Sequence, residues 1–299
     1  MQRAAMLAQS PRAKVGELLT LDTAGTAEGA QAAVAQALRG NARIIIGPLF
    51  AAESRAAARA AGAIPVLSFS NDEELIGSGA FLLGITATQS VGAILGYARS
   101  RGVRRVAVLG GPSRWSAQGS AAAARFQGVG GLDVRLLPEA TGTADLLAAL
   151  RRAGGGELPD ALLVTEGGDA LLAAARATAA SGLQLLGTQQ ALDLPAQDVS
   201  GAWLSGPDPA ALSTLAQRYR AAGTSSPGLL AALANDAMTI VETLREAGVV
   251  DRSALLAARP ASLIAGAIRF AADGSATRDL PILAAGANGY IRVDGNAAL

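Results

Sequence analysis

The strongest constraint on this chain is a pair of short, branched apolar runs that stop abruptly. Arg43-Ile44-Ile45-Ile46 ends in Gly47-Pro48-Leu49-Phe50, and Ile64-Pro65-Val66-Leu67 ends in Ser68-Phe69-Ser70-Asn71-Asp72. An uninterrupted apolar run of this length reads as a strand covered on both faces, as in a parallel sheet. Between the runs, Ala51 to Gly62 carries helix formers and ends at a glycine. The unit is therefore strand, loop, helix, strand, and ligands of such units bind just past the carboxyl ends of the strands.

The same alternation continues along the chain. A strand is expected over Val15 to Leu21, a helix over Gly29 to Leu38 behind Thr26, and a short strand over Phe81 to Leu83. Helix Gln89 to Arg101 precedes strand Arg105 to Leu109, and helix Ser116 to Gln127 precedes strand Asp133 to Leu137. Helix Ala144 to Ala153, strand Asp160 to Thr165, helix Ala170 to Ser181 and strand Leu183 to Leu186 complete the series. Such βα alternation marks a doubly wound α/β fold. The rhythm changes near Gly206-Pro207-Asp208-Pro209, where two helices follow directly, Ala210 to Ala222 and Pro227 to Gly248. After a short helix from Ser253, strand-like pieces return at Ala267 to Phe270, Leu280 to Ala284 and Tyr290 to Val293. This order predicts two lobes joined by several crossings of the chain.

Composition removes most catalytic chemistry. With no cysteine there are no thiolate nucleophiles, thiolate metal sites or disulfides, and with no histidine there is no Ser-His-Asp arrangement. Lys14 is the single lysine. The net charge of +1 gives no electrostatic case for nucleic acid or an anionic membrane surface. Mean hydropathy is +0.33, much of it from alanine. The longest uncharged window, Leu75 to Ala98, places Thr86, Thr88, Gln89 and Ser90 at its centre, so no membrane span is expected there. Met1 to Ser10 is helix-forming and lacks an apolar core followed by a cleavage site, so it does not read as a signal peptide.

Nucleotide and metal motifs fail on inspection. Gly77-Ser78-Gly79 would need a third glycine where Leu82 stands, and no GxxxxGK[ST] pattern exists. Gly110-Gly111 follows a strand and opens a helix, where an anion is physically possible. Asp72-Glu73-Glu74 sits where helix-dipole complementarity is explanation enough, and Asp169 is as well placed to cap a helix as to serve a site. No loop has the spacing of hard oxygen ligands, and no cofactor or metal is implied. What remains is topological: the loops Gly47 to Ala51, Ser68 to Asp72, Gly110 to Ser116, Glu166 to Asp169 and Gly187 to Asp193 all follow strand ends.

The residues Asp22-Thr23-Ala24-Gly25-Thr26, Ile45 to Phe50, Ile64 to Ser68, Arg105 to Leu109 and Asn235-Asp236-Ala237 carry a resemblance. Over essentially its whole length the chain resembles the type I periplasmic solute-binding fold, the leucine-binding-protein-like group. Within it, the pairing of Gly-Pro-Leu-Phe with Ser-Phe-Ser-Asn-Asp looks most like the penicillin-binding protein activator branch. The resemblance implies an α/β, two-lobed clamshell, each lobe a mostly parallel sheet flanked by helices. It places lobe 1 at 1–86 and 208–279, and lobe 2 at 87–207 and 280–299. It also implies a non-enzymatic periplasmic protein that regulates peptidoglycan synthesis through a penicillin-binding protein. The alternative is an ABC-transporter receptor, with a permease as partner, for an amino acid, amide or other small polar solute.

Departures from the family pattern shape the expected site. Amino-acid-binding relatives usually carry a serine where this chain has Ala51, and Asp72 stands where a threonine is usual. A carboxylate there would repel a ligand carboxylate. Trp115 loosely matches the aromatic of the second lobe. The cleft candidates are Phe50, Ala51, Ser68, Ser70 and Asp72 from lobe 1, with Trp115, Glu166 and Gln189 from lobe 2. Family members also open with a strand and a Gly-containing loop ahead of the helix that Met1 to Ala8 continues. The first strand of lobe 1 is thus expected to be missing, with a signal peptide upstream of a truncated or late-called start.

Overall fold

The computed structural model describes residues 18–138, 141–223, 227–260 and 263–293, together with Met6. The helix expected at Met1 to Ala8 and the first residues of the strand expected at Val15 to Leu21 lie largely outside the described residues. Residues 18–21 are described and form no strand, which corrects that half of the expectation.

The chain divides into two compact units, Met1–Thr86 with Ala210–Asp279, and Ala87–Pro209 with Leu280–Leu299. The polypeptide passes from one to the other after Thr86, Pro209 and Asp279. Both are α/β, with mostly parallel sheets flanked by helices.

In the first unit, β1 (Ile45–Ile46), β2 (Val66–Ser68) and β3 (Phe81–Leu82) form a parallel sheet in that order, with Ile45 opposite Val66 and Leu67 opposite Phe81. Every residue of β2 and β3 is buried, which is why both read as unbroken apolar runs. Two alanine-rich helices, α1 (Ala27–Arg39) and α2 (Ala51–Ala61), pack on the sheet through Ala30, Val34, Ala57, Ala61 and Val66. The Thr26 hydroxyl caps α1 by accepting the Gly29 N–H at 2.9 Å. Gly29 is obligatory there, because a Cβ would fall 2.0 Å from the Thr23 carbonyl oxygen.

Sequence distant from this sheet completes the unit. In the described residues of unit 2, α3 (Ala87–Ser100) follows the first passage. After the second passage come α7 (Pro209–Ala221), α8 (Leu229–Glu246) and α9 (Arg252–Ala257). The antiparallel hairpin of β9 (Ala267–Phe270) and β10 (Ala276–Asp279) pairs Phe270 with Ala276. Its turn docks beside β3: Leu82 donates its N–H to the Gly274 carbonyl, and the Phe81 and Phe270 rings meet edge to face with centroids 5.5 Å apart. The Arg252 guanidinium lies over the Phe81 ring at 4.4 Å.

The second unit holds a 7-stranded sheet whose strands run, in spatial order, Gly289–Arg292, Ile282–Gly286, Trp203–Ser205, Gln184–Gly187, Ala161–Val164, Arg105–Leu109 and Asp133–Leu136. β4 (Arg105–Leu109), β5 (Asp133–Leu136), β6 (Ala161–Val164), β7 (Gln184–Gly187) and β8 (Trp203–Ser205) are parallel. β11 (Ile282–Gly286) is antiparallel to β8 and to β12 (Gly289–Arg292). Successive side chains of a strand point to opposite faces. Val106 and Val108 accordingly pack with Val91, Ile94 and Leu95 of α3 and with Ala122 and Ala123 of α4 (Arg114–Ala124). Ala107 and Leu109 face the other way, toward Leu146 and Leu150 of α5 (Leu146–Ala153) and Leu171 of α6 (Gly168–Thr178). The β5 edge is partly closed: Gln127 accepts the Val134 N–H at 2.6 Å and donates to Asp133 at 3.2 Å.

β8 and β10 are strands the sequence reading passed over. Trp203–Ser205 is three residues long between glycines, and Ala276–Asp279 carries Thr, Arg and Asp with only one buried residue. Neither has the apolar run that identifies a strand from composition.

Candidate functional site

The loop that ends β1 carries Gly47 and Pro48, and Phe50 then opens α2 without a side-chain cap. Phe50 is 61% exposed, and Ala51 is the first residue of the helix. Behind them the hydroxyls form a buried chain. Ser54 Oγ and Ser68 Oγ lie 2.7 Å apart, and each also reaches the Pro48 carbonyl at 3.5 Å. Ser68 Oγ accepts the Ser70 N–H at 3.1 Å, and Ser70 Oγ accepts the Asp72 N–H at 3.2 Å. Asp72 Oδ1 then accepts the Glu74 N–H at 3.0 Å, capping the 3-10 turn Glu73–Leu75. The hydroxyls of Ser68 and Ser70 are thus engaged in holding the strand-end loops together, and Asp72 has the capping role that its position suggests.

Glu53, which the sequence reading did not single out, belongs to the same end of the sheet. It is 3% exposed, and its Oε2 accepts the Thr23 hydroxyl at 2.6 Å. The other oxygen, Oε1, is buried without a hydrogen-bond partner. Spacing could not have found this pair, since Thr23 and Glu53 are joined only by the packing of α1 on α2.

In the second unit the loops after β4 and β6 meet. Ser113 caps α4 by accepting the Ser116 N–H at 3.1 Å. Ser116 Oγ accepts the Gly111 N–H at 2.7 Å and lies 2.7 Å from Thr165 Oγ1. Glu166 reaches over from the β6 loop, its Oε2 accepting the Ser113 N–H at 3.1 Å. A Cβ at position 111 would stand 2.3 Å from that oxygen, so glycine is what lets the carboxylate lie against the loop. An anion is physically possible at the Gly110-Gly111 turn, and the Glu166 carboxylate lies against it. Asp169 lies inside the first turn of α6, whose N-cap is Gly167, so it does not cap that helix.

Trp115 sits in the first turn of α4, partly exposed, with its indole nitrogen buried and unpartnered. Gln189 is 7% exposed in the loop after β7, and its Oε1 accepts the Ser90 hydroxyl at 2.6 Å. Ser90 Oγ in turn lies 2.5 Å from Ser205 Oγ at the end of β8. Within each unit, the candidates named from sequence gather at the carboxyl ends of the parallel strands: Phe50, Ala51, Ser68, Ser70 and Asp72 in the first, Trp115, Glu166 and Gln189 in the second. Among the described residues, no group of three or more acidic side chains is arranged to hold a metal ion. No described helix is long and apolar enough to cross a membrane.

A sequence model described as periplasmic binding protein matches residues 16–289. The chain belongs to the periplasmic binding protein family. It is a family of non-catalytic binding proteins, in keeping with a chain that carries neither histidine nor cysteine. No curated protein sequence matches the chain. Solved structures do, at low identity. A Rhodospirillum rubrum protein described as a branched-chain amino acid ABC transporter is 18% identical, with a TM-score of 0.81 over 98% of this chain and 94% of that one. The C-domain of Haemophilus influenzae LpoA, described as a regulator of PBP1A, is 14% identical, with a TM-score of 0.72 over 97% and 94%. In full-length Haemophilus influenzae LpoA the chain spans 55% of the length. The leucine-binding protein LivK of Thermotoga maritima is 20% identical, with a TM-score of 0.63 over 98% and 92%. At these identities the likeness is one of fold: the type I periplasmic binding fold shared by transport receptors and by LpoA.

Proposed function

We propose that this protein is an extracytoplasmic solute receptor of the ABC-transport kind, with a permease as its partner and a small polar solute as its ligand. The observation that carries the reading is Glu166. Its Oε2 is anchored on the Ser113 N–H at the opening of α4, and the residue is half-buried at the loop end of the sheet. A carboxylate held there repels a ligand carboxylate and favours a group that donates hydrogen bonds, such as an amide or an amine. The indole of Trp115 in the adjoining turn supplies a flat apolar surface of the kind binding pockets use. The near length-for-length likeness to the Rhodospirillum rubrum protein supports a receptor of this class.

A second reading, a regulator of peptidoglycan synthesis that contacts a penicillin-binding protein, is supported by the likeness to the LpoA C-domain. It draws further support from the first unit, where the Ser68 and Ser70 hydroxyls are occupied by the protein's own backbone and by Ser54.

A thermal-shift screen against amides, amines and amino acids, run beside a binding assay with purified penicillin-binding proteins, separates the two. Ligand at 100 times its dissociation constant should stabilise the protein by about 2.7 kcal/mol. A saturable shift from a small amide or amine, lost in Glu166→Gln, upholds the receptor reading. No shift from any solute, together with capture of a penicillin-binding protein, overturns it in favour of the regulator.

A further inference from the structure

At the opposite end of the second unit's sheet from Glu166 and Trp115, a cavity of about 300 Å³ opens beside the first residues of β4 and β5. The last turn of α5 borders it. The helix gives way to Gly154 and Gly155, which line the cavity beside Arg152 and Ala153. Arg105 and Asp133 are register partners and so share one face of the sheet. Two residues further along β5, Arg135 returns to that same face. Arg152, in the last turn of α5, comes from the side, and all four residues line the cavity.

The guanidinium groups differ in what already holds them. Arg105 is fixed by Glu157 at 3.0 Å and Asp160 at 3.3 Å, and Asp160 is itself held by the Arg104 and Arg105 N–H groups at 2.8 Å each. Arg135 is held through its Nε, at 2.9 Å from Asp133 Oδ1, which orients the group and, among the described residues, leaves both terminal nitrogens available. Arg152 has no acidic partner among the described residues. The lining acid, Asp133, is engaged on the same Oδ1 by Gln127 at 3.2 Å and by Arg135 at 2.9 Å. Backbone donors add nothing, because the N–H groups of Gly154 and Gly155 are spent on the Leu150 and Arg152 carbonyls. What the cavity offers a ligand, judged among the described residues, is the two terminal nitrogens of Arg135, the charge of Arg152 and the fixed charge of Arg105 between its acids.

We propose that this cavity is a second binding site, taking a small oxyanion, carboxylate or phosphate, between Arg135 and Arg152. Guanidinium forks match the spacing of two oxygens on such a group, and charge-assisted bonds of this kind are the stronger class of hydrogen bond. The site is independent of the solute reading above, since it shares no residue with the loops at the other end of the strands.

Titration calorimetry of the full chain with orthophosphate and with citrate, at low ionic strength and against sodium chloride of matched ionic strength, tests it. Saturable binding of either anion is expected, weakened about tenfold to a hundredfold in Arg152→Ala and in Arg135→Ala. Phosphate without citrate, or the reverse, tells which oxyanion the site fits. Arg151→Ala, one position along α5 and outside the cavity lining, should bind as the parent does. The proposal is overturned if neither anion gives more heat than chloride, or if Arg151→Ala weakens binding as much as Arg152→Ala, which would make the effect diffuse attraction. Arg152 and Arg151 are both exposed, so neither variant removes core packing.

Discussion

Arg278 donates from Nη2 to the carbonyl oxygen of Leu83 at 2.6 Å, bridging residues 195 apart in sequence. Leu83 lies three residues before the chain leaves the first unit at Thr86, and Arg278 lies one before it leaves again at Asp279. A single buried guanidinium therefore ties together two of the segments through which the chain passes. Its Nη1 also donates to the Ala265 carbonyl at 3.2 Å, beside the N–H groups of Ile264 and Ala265 that Asp236 accepts at 2.8 and 2.9 Å. Burial pulls the Arg278 pKa down to about 10, opposed by the charge of Asp236, so it stays protonated at neutral pH.

Replacing this arginine should cost more than its bond count suggests. Arg278→Met leaves the Leu83 carbonyl unpaired and the buried Asp236 without its counter-charge, and a loss of about 3–5 kcal/mol is expected. Arg278→Lys keeps the charge but cannot span the Leu83 and Ala265 carbonyls with a planar fork, so it should lose about 1–3 kcal/mol. Urea denaturation of the three proteins gives the order. A methionine variant within 1 kcal/mol of the parent (~1 kcal/mol being the worth of one ordinary hydrogen bond) would mean the bridge contributes little.

Asp236 gives a pH signature of unusual sign. Burial raises its pKa from 3.8 to about 6, against the lowering effects of the Ala265 and Ile264 N–H groups, Arg278 and Asn235. A carboxyl whose folded pKa lies above its unfolded value binds its proton more tightly in the native state, so its contribution to stability falls as pH rises between those values. Below pH 3.8 the penalty is absent, and above about pH 6 it is fully present, on the order of 2–3 kcal/mol. Asp236→Asn should flatten this stretch of the stability curve relative to the parent, while still accepting one of the two N–H bonds. Equal slopes for parent and variant between pH 4 and 6, measured by denaturation (~1.36 kcal/mol per pKa unit), would disprove the assignment.

The paired hydroxyls of Ser54 and Ser68 should behave as one unit. Both residues are fully buried, and removing either leaves the other with a lost partner, a cost of about 1–3 kcal/mol. Once one is gone the second has less to lose, so Ser54→Ala with Ser68→Ala should cost less than the sum of the singles. Strictly additive losses in a double-mutant cycle would show that each serine acts through the Pro48 carbonyl or the Ser70 N–H alone.

Much of the architecture was legible because both faces of the second sheet are covered, which turns Arg105–Leu109 and Ala161–Val164 into apolar runs that composition alone identifies. Helix starts were legible where a hydroxyl caps them, as Thr26 does for α1. The site was legible only as positions. Ser68, Ser70, Asp72 and Glu166 could be placed at strand ends by counting, whereas their partners could not. Ser54 meets Ser68 from a helix, Glu166 meets Ser113 from a loop 53 residues away, and Arg278 meets Leu83 across the unit. Such pairings are set by packing, and neither spacing nor periodicity records them. Trp203–Ser205 escaped for a related reason: it is a strand because β7 and β11 flank it, and its own three residues say little.

The contact between Gly111 and Glu166 can be tested through its own removal. A methyl at position 111 would fall 2.3 Å from Glu166 Oε2 and 2.7 Å from Glu166 Cγ, closer than atoms tolerate, so the carboxylate must swing off the Ser113 N–H. Gly111→Ala should therefore destabilise by about 1 kcal/mol, the worth of the displaced hydrogen bond, because the partly exposed Glu166 side chain can move aside. Gly111 has no positive φ, so backbone strain is not part of the loss. In a Glu166→Ala background the three atoms nearest that methyl are gone, and the same substitution should cost less than it does in the parent. The cycle also bears on the ligand: if Glu166 receives a donor from the solute, Gly111→Ala should weaken solute binding by moving the carboxylate without deleting it. An unaltered affinity in Gly111→Ala, alongside the expected loss of stability, would confine Glu166 to holding the α4 loop.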